Sequence, residues 1–242
     1  MTIGQLNLFI RKLHLWLGIA IGIQLCLWLV SGLFMTLFPI DNVRGTHLRA
    51  DVAPIPLQIN ERVITPAAIL QNVPAAETVT LRRVGDQLVY VAKTQGDDLV
   101  LNAETGDPMA LLDEIQANRM ALAAYSGAGS IGQSILFETG SPREYGRTGP
   151  VWQVNFDKPD KATFYIDARM GDVKAVRTGL WRTFDFMWGL HIMDWSSREN
   201  FNSWWIKATA AISVIFFFSG LILITLRLRS ALKRRRRTLA SK

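Results

Sequence analysis

Three histidines, His14, His47 and His191, carry most of the chemistry that this chain can offer. His14 lies two residues past Lys12, where an uncharged run begins, and His47 comes seven residues after that run ends at Ile40. His191 stands about a dozen residues ahead of position 203, where a second span is expected to begin. Imidazole at such boundaries can hydrogen-bond at headgroup level or ligate a metal. Gly18 and Gly22 follow His14 at successive i+4 steps, a smooth face that could admit another helix or a flat macrocycle. Trp181, Phe184, Trp188, His191 and Trp195 recur at three- and four-residue steps, one aromatic stripe if the segment is helical.

Other motifs carry less. Gly127-Ala128-Gly129-Ser130-Ile131-Gly132 matches GxGxxG in letters, but it follows a helical pattern and opens no helix, so it reads as a helix-to-strand loop. Ser126, Ser130 and Ser134 have no histidine near them in sequence to activate them. HExxH and CxxC are absent. The single cysteine, Cys26, lies inside the first apolar run, which rules out a disulfide or thiolate metal site elsewhere. No catalytic residue is assigned.

These residues must be positioned by a chain of 242 residues, 49% apolar, whose apolar content is concentrated. Leu13–Ile40 and Ala208–Leu226 contain no Asp, Glu, Lys or Arg. As helices they would reach about 42 Å and about 28 Å, against a hydrocarbon core of roughly 30 Å. Ten of the 27 Lys and Arg residues flank them, at Arg11, Lys12 and from Arg227 onward, with no carboxylate among them. The intervening region is slightly acidic, so the positive-inside rule places both termini in the cytoplasm and the middle outside. The Arg234–Arg237 run reads as stop-transfer and lipid contact, with no nucleic-acid partner. Phe38-Pro39-Ile40-Asp41 offers no small-residue cleavage site, so the first run reads as a retained anchor.

The middle region is predicted to be a tandem repeat. Ala50–Asn60, with Pro54 and Pro56, reads as a linker. Thr65-Pro66 opens a short helix, followed by strands over Thr78–Val84, Leu88–Ala92 and Leu99–Leu101 and a turn at Glu104-Thr105-Gly106-Asp107. The order recurs as a capped helix over Asp113–Ala124, strands over Ser134–Glu138, Val151–Phe156 and Ala162–Asp167, and a turn at Arg169-Met170-Gly171-Asp172. Leu99–Ala103 lies over Phe164–Ala168 at an offset of 65 residues, which holds through both Gly-Asp turns. Each unit reads as a helix on a small antiparallel sheet, and the two can cover each other's apolar faces.

A duplicated helix and meander closing on a TGD-like turn resembles the PepSY module. Arg11-Lys12-Leu13-His14-Leu15-Trp16-Leu17-Gly18, Ser31-Gly32-Leu33, Val43–Leu48 and Phe184–Asp194 resemble the flanks of its membrane-anchored relatives. The resemblance implies an α+β region of two PepSY-like units between two transmembrane helices. It divides the chain into a cytoplasmic N-terminus (1–12), a first span (13–40), an extracytoplasmic linker (41–60), repeats over 61–112 and 113–178, an interfacial aromatic helix and loop (179–202), a second span (203–226) and a basic cytoplasmic tail (227–242). Some four-helix relatives are haem-bearing reductases in which span-associated histidines are axial ligands. By that likeness His14, His191 and His47 are candidate ligands of haem b, with no metal beyond its iron, in a cell inner-membrane protein with a periplasmic centre.

The function implied is an accessory or haem-linked part of transmembrane electron transfer to an extracytoplasmic acceptor, such as a ferric chelate. The alternative is a membrane-anchored module that binds or regulates an extracytoplasmic peptidase or envelope partner. His14 and His191 are expected at opposite faces of the bilayer, too far apart to share one haem. That leaves His47 with His191 as the outer pair within one chain. Alternatively a homodimer would supply four helices and two stacked sites, or another membrane redox protein would supply the missing ligands.

Overall fold

The computed structural model describes residues 3–51, 63–96 and 98–240. In chain order the elements are α1 (Ile3–Leu37), α2 (Ile40–Arg44), α3 (Pro66–Asn72), β1 (Thr78–Val84), β2 (Gln87–Lys93), β3 (Leu99–Asn102) and α4 (Glu114–Ala124). Then come β4 (Ile131–Phe137), β5 (Val151–Phe156), β6 (Thr163–Asp167), β7 (Val173–Arg177), α5 (Gly179–Ile192) and α6 (Trp204–Ala240). Two compact units result: Met1–Phe38 with Thr183–Lys242, and Pro39–Arg182.

In the first unit, α1 and α6 are paired antiparallel, with His14 against Ser219 and Gly18 against Phe216. Gly4–Leu37 and Trp204–Lys233 are each long and apolar enough to cross a bilayer. Their outer faces expose Leu15, Trp16, Ile23 and Leu33 on α1 and Phe217, Phe218 and Ile224 on α6. Such faces are unstable in water and natural in lipid. Pro39, which cannot donate to the helical ladder, follows the end of α1. Helix α1 begins ten residues ahead of the apolar run, and α6 continues through the basic tail, because Arg and Lys are good helix formers and nothing there breaks the ladder.

The second unit is an α+β module of two antiparallel sheets, ordered β1-β2-β3 and β4-β5-β6-β7. The predicted repeat is visible at its turns. Asn102 Oδ1 accepts the N–H groups of Glu104 and Thr105, and Asp167 Oδ1 accepts those of Arg169 and Met170. The Gly106 amide returns to the Asn102 carbonyl and the Gly171 amide to the Asp167 carbonyl, each at 2.8 Å. Both glycines have positive φ, 81° and 71°, which is why the motif ends in Gly-Asp.

Helix α3 starts at its Thr65 cap and buries Ile69 completely against the first sheet. Helix α4 opens on a capping box. The Gln116 amide donates to Asp113 Oδ1 at 2.7 Å, while the Asp113 amide donates to Gln116 Oε1 at 3.0 Å. Ala117 and Ala121 then let α4 lie close on Trp152, Val154 and Phe164. The two repeats cover one another through a seam of Val84, Val89, Val100 and Leu112, bordered by Met109, Met120 and Met170. The Trp152 indole donates to the Leu112 carbonyl at 2.8 Å, and Arg82 holds Asp172 through Nη1 and Nη2.

Two features differ from the sequence reading. The second sheet has a fourth strand, β7, after its turn. In the first repeat the equivalent stretch stops at a single bridge of Pro108 to Leu101, flanked by bonds from the Asn102 amide to Asp107 and from the Met109 amide to Val100, each at 2.8 Å. The start of the segment read as a linker is folded. Val43 and Leu48 are buried, and the Ala50 amide donates to Ala124 at 2.9 Å. Gly45, at φ 69°, ends α2 so close to Val176 that a Cβ would stand 2.9 Å from it. Most of the Pro-punctuated stretch, 52–62, lies outside the described residues.

Candidate functional site

His14 is carried by α1 and is half-buried against α6. Its ring stacks on Phe216, with centroids 4.2 Å apart and planes 4° from parallel. Two glycines make room for these rings: a Cβ on Gly220 would stand 3.0 Å from the His14 ring, and one on Gly18 would stand 3.0 Å from Phe216. The groove expected along Gly18 and Gly22 is therefore filled by Phe216 at Gly18, while Gly22 has nothing within 4 Å.

The His14 Nδ1 lies 2.8 Å from Ser219 Oγ. That hydroxyl gives its own proton to the Phe216 carbonyl at 2.7 Å, so it accepts from Nδ1–H. The hydrogen-bond network thus assigns the tautomer and leaves Nε2 with the lone pair.

His191 repeats the arrangement on the helix pair α5 and α1. Its Nδ1 lies 3.1 Å from Oγ of Ser31, a serine with no exposed surface. Ser31 gives its proton to the Leu27 carbonyl at 2.6 Å, so it too accepts from Nδ1–H. Gly32 follows Ser31 as Gly220 follows Ser219, so each histidine meets a Ser-Gly pair on the neighbouring helix. Sequence reading picked out both histidines and the Ser31-Gly32-Leu33 motif. It did not pair them, and it missed Ser219-Gly220, whose signal was the recurrence of Ser-Gly inside the second apolar run.

The aromatic stripe is helical only in part. Helix α5 stops at Ile192, and Met193 takes a positive φ of 55°, so Trp195 lies beyond the helix. A loop organised by Asp194 follows. Ser197 and Ser196 hydroxyls and the Ser196, Ser197, Glu199 and Asn200 amides donate to its carboxylate. Those donors, the Ser197 hydroxyl foremost and then the Asn200 amide, hold the Asp194 carboxyl well below the usual range. Trp188 donates to the Arg198 carbonyl at 3.0 Å, and Arg198 pairs with Asp185.

His14 and Ser31 lie 17 positions apart on one helix, so the two histidine environments are separated by about 26 Å along α1. They do not form one site. Between them Gln24 Nε2 and Trp28 Nε1, on the face that leads to Ser31, are buried donors without a hydrogen-bond partner. His47 is exposed, in a single 3-10 turn of the other unit, and its carbonyl accepts from Ser126 Oγ at 3.0 Å.

The module has its own polar centre at Glu144. Its carboxylate accepts from Arg182 Nε and Nη2, both at 2.9 Å, and from the Tyr165 hydroxyl at 2.8 Å. Burial opposes its ionisation, but the bonds from Arg182 and Tyr165, with the charges of Arg182 and Arg177, outweigh it and hold the carboxyl below its ordinary value. Burial and the bond to Glu144 push the Tyr165 phenol up. The GxGxxG-like loop runs from α4 into β4 and opens no helix. Gly129 donates to the Tyr125 hydroxyl, and a Cβ on Gly127 would clash with Asp160 and Tyr125. A polar cleft of about 870 Å³ lies over the seam between the repeats, near Asp98, Glu138, Arg147 and Arg169.

Two bilayer-length helices framing a duplicated helix-and-sheet module define a membrane-anchored protein whose ordered histidines belong to its helical unit. Residues 11–241 match the model of the PepSY-associated TM region, and the chain belongs to that family. No curated protein and no solved structure matches it.

Proposed function

We propose that this membrane protein is a haem-linked accessory component of transmembrane electron transfer in a cell inner membrane, serving an extracytoplasmic acceptor such as a ferric chelate. The observation that carries the reading is the repeated histidine geometry. At each end of α1 a serine fixes an imidazole through Nδ1 and leaves Nε2 to a ligand. An outer hydrogen bond of this kind orients metal-bound histidine and raises its basicity.

The residues fit haem b in donor type and surroundings, since neutral imidazole ligates haem iron, and Phe216 and Trp28 border the two rings. When bound, haem supplies one-electron carriage. The chain's part is to hold Nε2 in place and keep water away. Each end of α1 offers one histidine, so a second histidine would come from a second copy, from another membrane protein or, at the outer level, from His47. The cations at Arg11, Lys12 and along the tail support cytoplasmic termini and an extracytoplasmic module.

Reduced-minus-oxidised spectra of the full chain, purified from haem-supplemented cells, test this. A Soret band is expected, lowered by roughly half in His14→Ala and in His191→Ala if the ends bind independently. His47→Ala decides the outer ligand: a lost outer signal assigns His47, and an unchanged one assigns a partner. No band in the wild type overturns the reading.

The second reading, a membrane-anchored module for an extracytoplasmic peptidase or envelope partner, draws on one observation. Strands β1 and β4 are sheet edges paired on one side only, the form that strand addition uses.

A further inference from the structure

Below His14, at the end of the helix pair from which the tail emerges, α1 and α6 leave a groove of about 320 Å³. It is lined by Asn7, Arg11 and His14 from one helix and Leu223, Ile224 and Arg227 from the other. Arg11 and Arg227 are exposed at its mouth. Neither has a counter-charge on these helices, because residues 1–40 contain no Asp or Glu and none follows Glu199. Two guanidinium groups thus converge on one groove, and the anion that relieves their repulsion comes from outside the pair.

The level of the groove selects that anion. Arg11 stands just before the first uncharged run at Leu13, and Arg227 just after the second at Leu226, which is the height of lipid headgroups. Leu223 and Ile224 continue the groove into the hydrocarbon, where a free phosphate would gain nothing. Guanidinium matches phosphate oxygens in a fork, and basic pockets between spans bind anionic headgroups.

We infer that this groove is a binding site for an anionic phospholipid of the leaflet that meets the tail, with Arg11 and Arg227 on the phosphate and Asn7 beside it. Acyl carbons lie along Leu223 and Ile224. The inference does not rest on haem, since Arg11 and Arg227 carry it, although His14 borders the same groove.

The test is lipid retention by the full chain, read by native mass spectrometry after extraction from vesicles of equal parts phosphatidylglycerol and phosphatidylcholine. The wild type is expected to keep phosphatidylglycerol preferentially, and each arginine to account for about fivefold of that preference. Arg11→Gln with Arg227→Gln is expected to bring retention near parity. Arg235→Gln with Arg236→Gln, in the tail beyond the groove, is expected to leave it unchanged. Wild-type preference in the groove variant overturns the inference. So does an equal loss in the tail variant, which would mean diffuse attraction by a polybasic segment. Displacement of the lipid by millimolar inorganic phosphate overturns it in favour of a soluble phosphate site.

Discussion

The Nδ1 of His191 lies 3.1 Å from Oγ of Ser31, a hydroxyl whose own proton is committed to the Leu27 carbonyl. The serine therefore acts as an acceptor and fixes which ring nitrogen is free. Removing it in Ser31→Ala leaves Nδ1–H without this partner and the ring free to turn. Loss of such an outer hydrogen bond weakens metal binding by about tenfold or more. Haem titration of the full chain is expected to show that loss in Ser31→Ala, with a shifted midpoint potential, and near wild-type behaviour in Ser31→Thr. An unchanged titration in Ser31→Ala would reduce Ser31 to a packing residue.

Glu144 gives the module a pH dependence of definite sign. Its folded carboxyl titrates below its ordinary value because Arg182 and Tyr165 bond to the ionised form, against the cost of burial. The stability it contributes is complete above the unfolded value of about 4.3 and is lost as pH falls through the folded value. Glu144→Gln removes the charge, and with Arg182 partly exposed the cost is discounted to about 1–2 kcal/mol at neutral pH. Denaturation of the full chain in detergent, followed by near-ultraviolet circular dichroism, is expected to show this gap at pH 7. The gap should begin to narrow below the unfolded value and close only once pH has fallen past the folded one. A gap that persists unchanged in acid would sink this account.

Legibility in the sequence follows the range of the forces involved. The α+β class and the repeat could be read because Asn102, Asp167 and the two Gly-Asp turns are local backbone devices with a fixed residue requirement. The α4 capping box was readable for the same reason. Strand β7 was not legible, since the matching stretch of the first repeat stops at a single bridge and the repeat therefore carries no signal for a fourth strand. The partners of His14 and His191 lie 205 and 160 positions away, and no local pattern connects them. The inward part of 41–51 was hidden similarly, because Leu48 is buried against α4 and the second sheet, far along the chain.

Gln24 tests whether the helix pair is satisfied by its own polar groups. Its Nε2 is buried on α1 without an acceptor. A buried donor left unmade costs about 1–3 kcal/mol, and an apolar side chain of similar size removes that cost. Gln24→Leu is then expected to raise the thermal unfolding midpoint of the full chain in detergent. Circular dichroism read against temperature checks this. A lower midpoint in the variant would show that the amide contributes a bond to the folded protein.

Gly171 and Gly106 occupy the same place in the two repeats, and they should not be equally sensitive. Both have positive φ, so alanine at either costs about 1–2 kcal/mol of backbone strain. A Cβ at Gly171 would also overlap Met120 Sδ, inside the seam that joins the repeats, whereas one at Gly106 would meet Ile64 Cδ1 at 3.0 Å. Overpacking of that kind adds about 1–3 kcal/mol, reduced as far as the flexible thioether can swing aside. Gly171→Ala is therefore expected to lower the denaturation midpoint of the module more than Gly106→Ala. Met120→Ala in the Gly171→Ala background should relieve the steric share and leave the backbone share. Equal effects of the two single substitutions would show that Met120 moves without cost and that the seam is looser than its contacts imply.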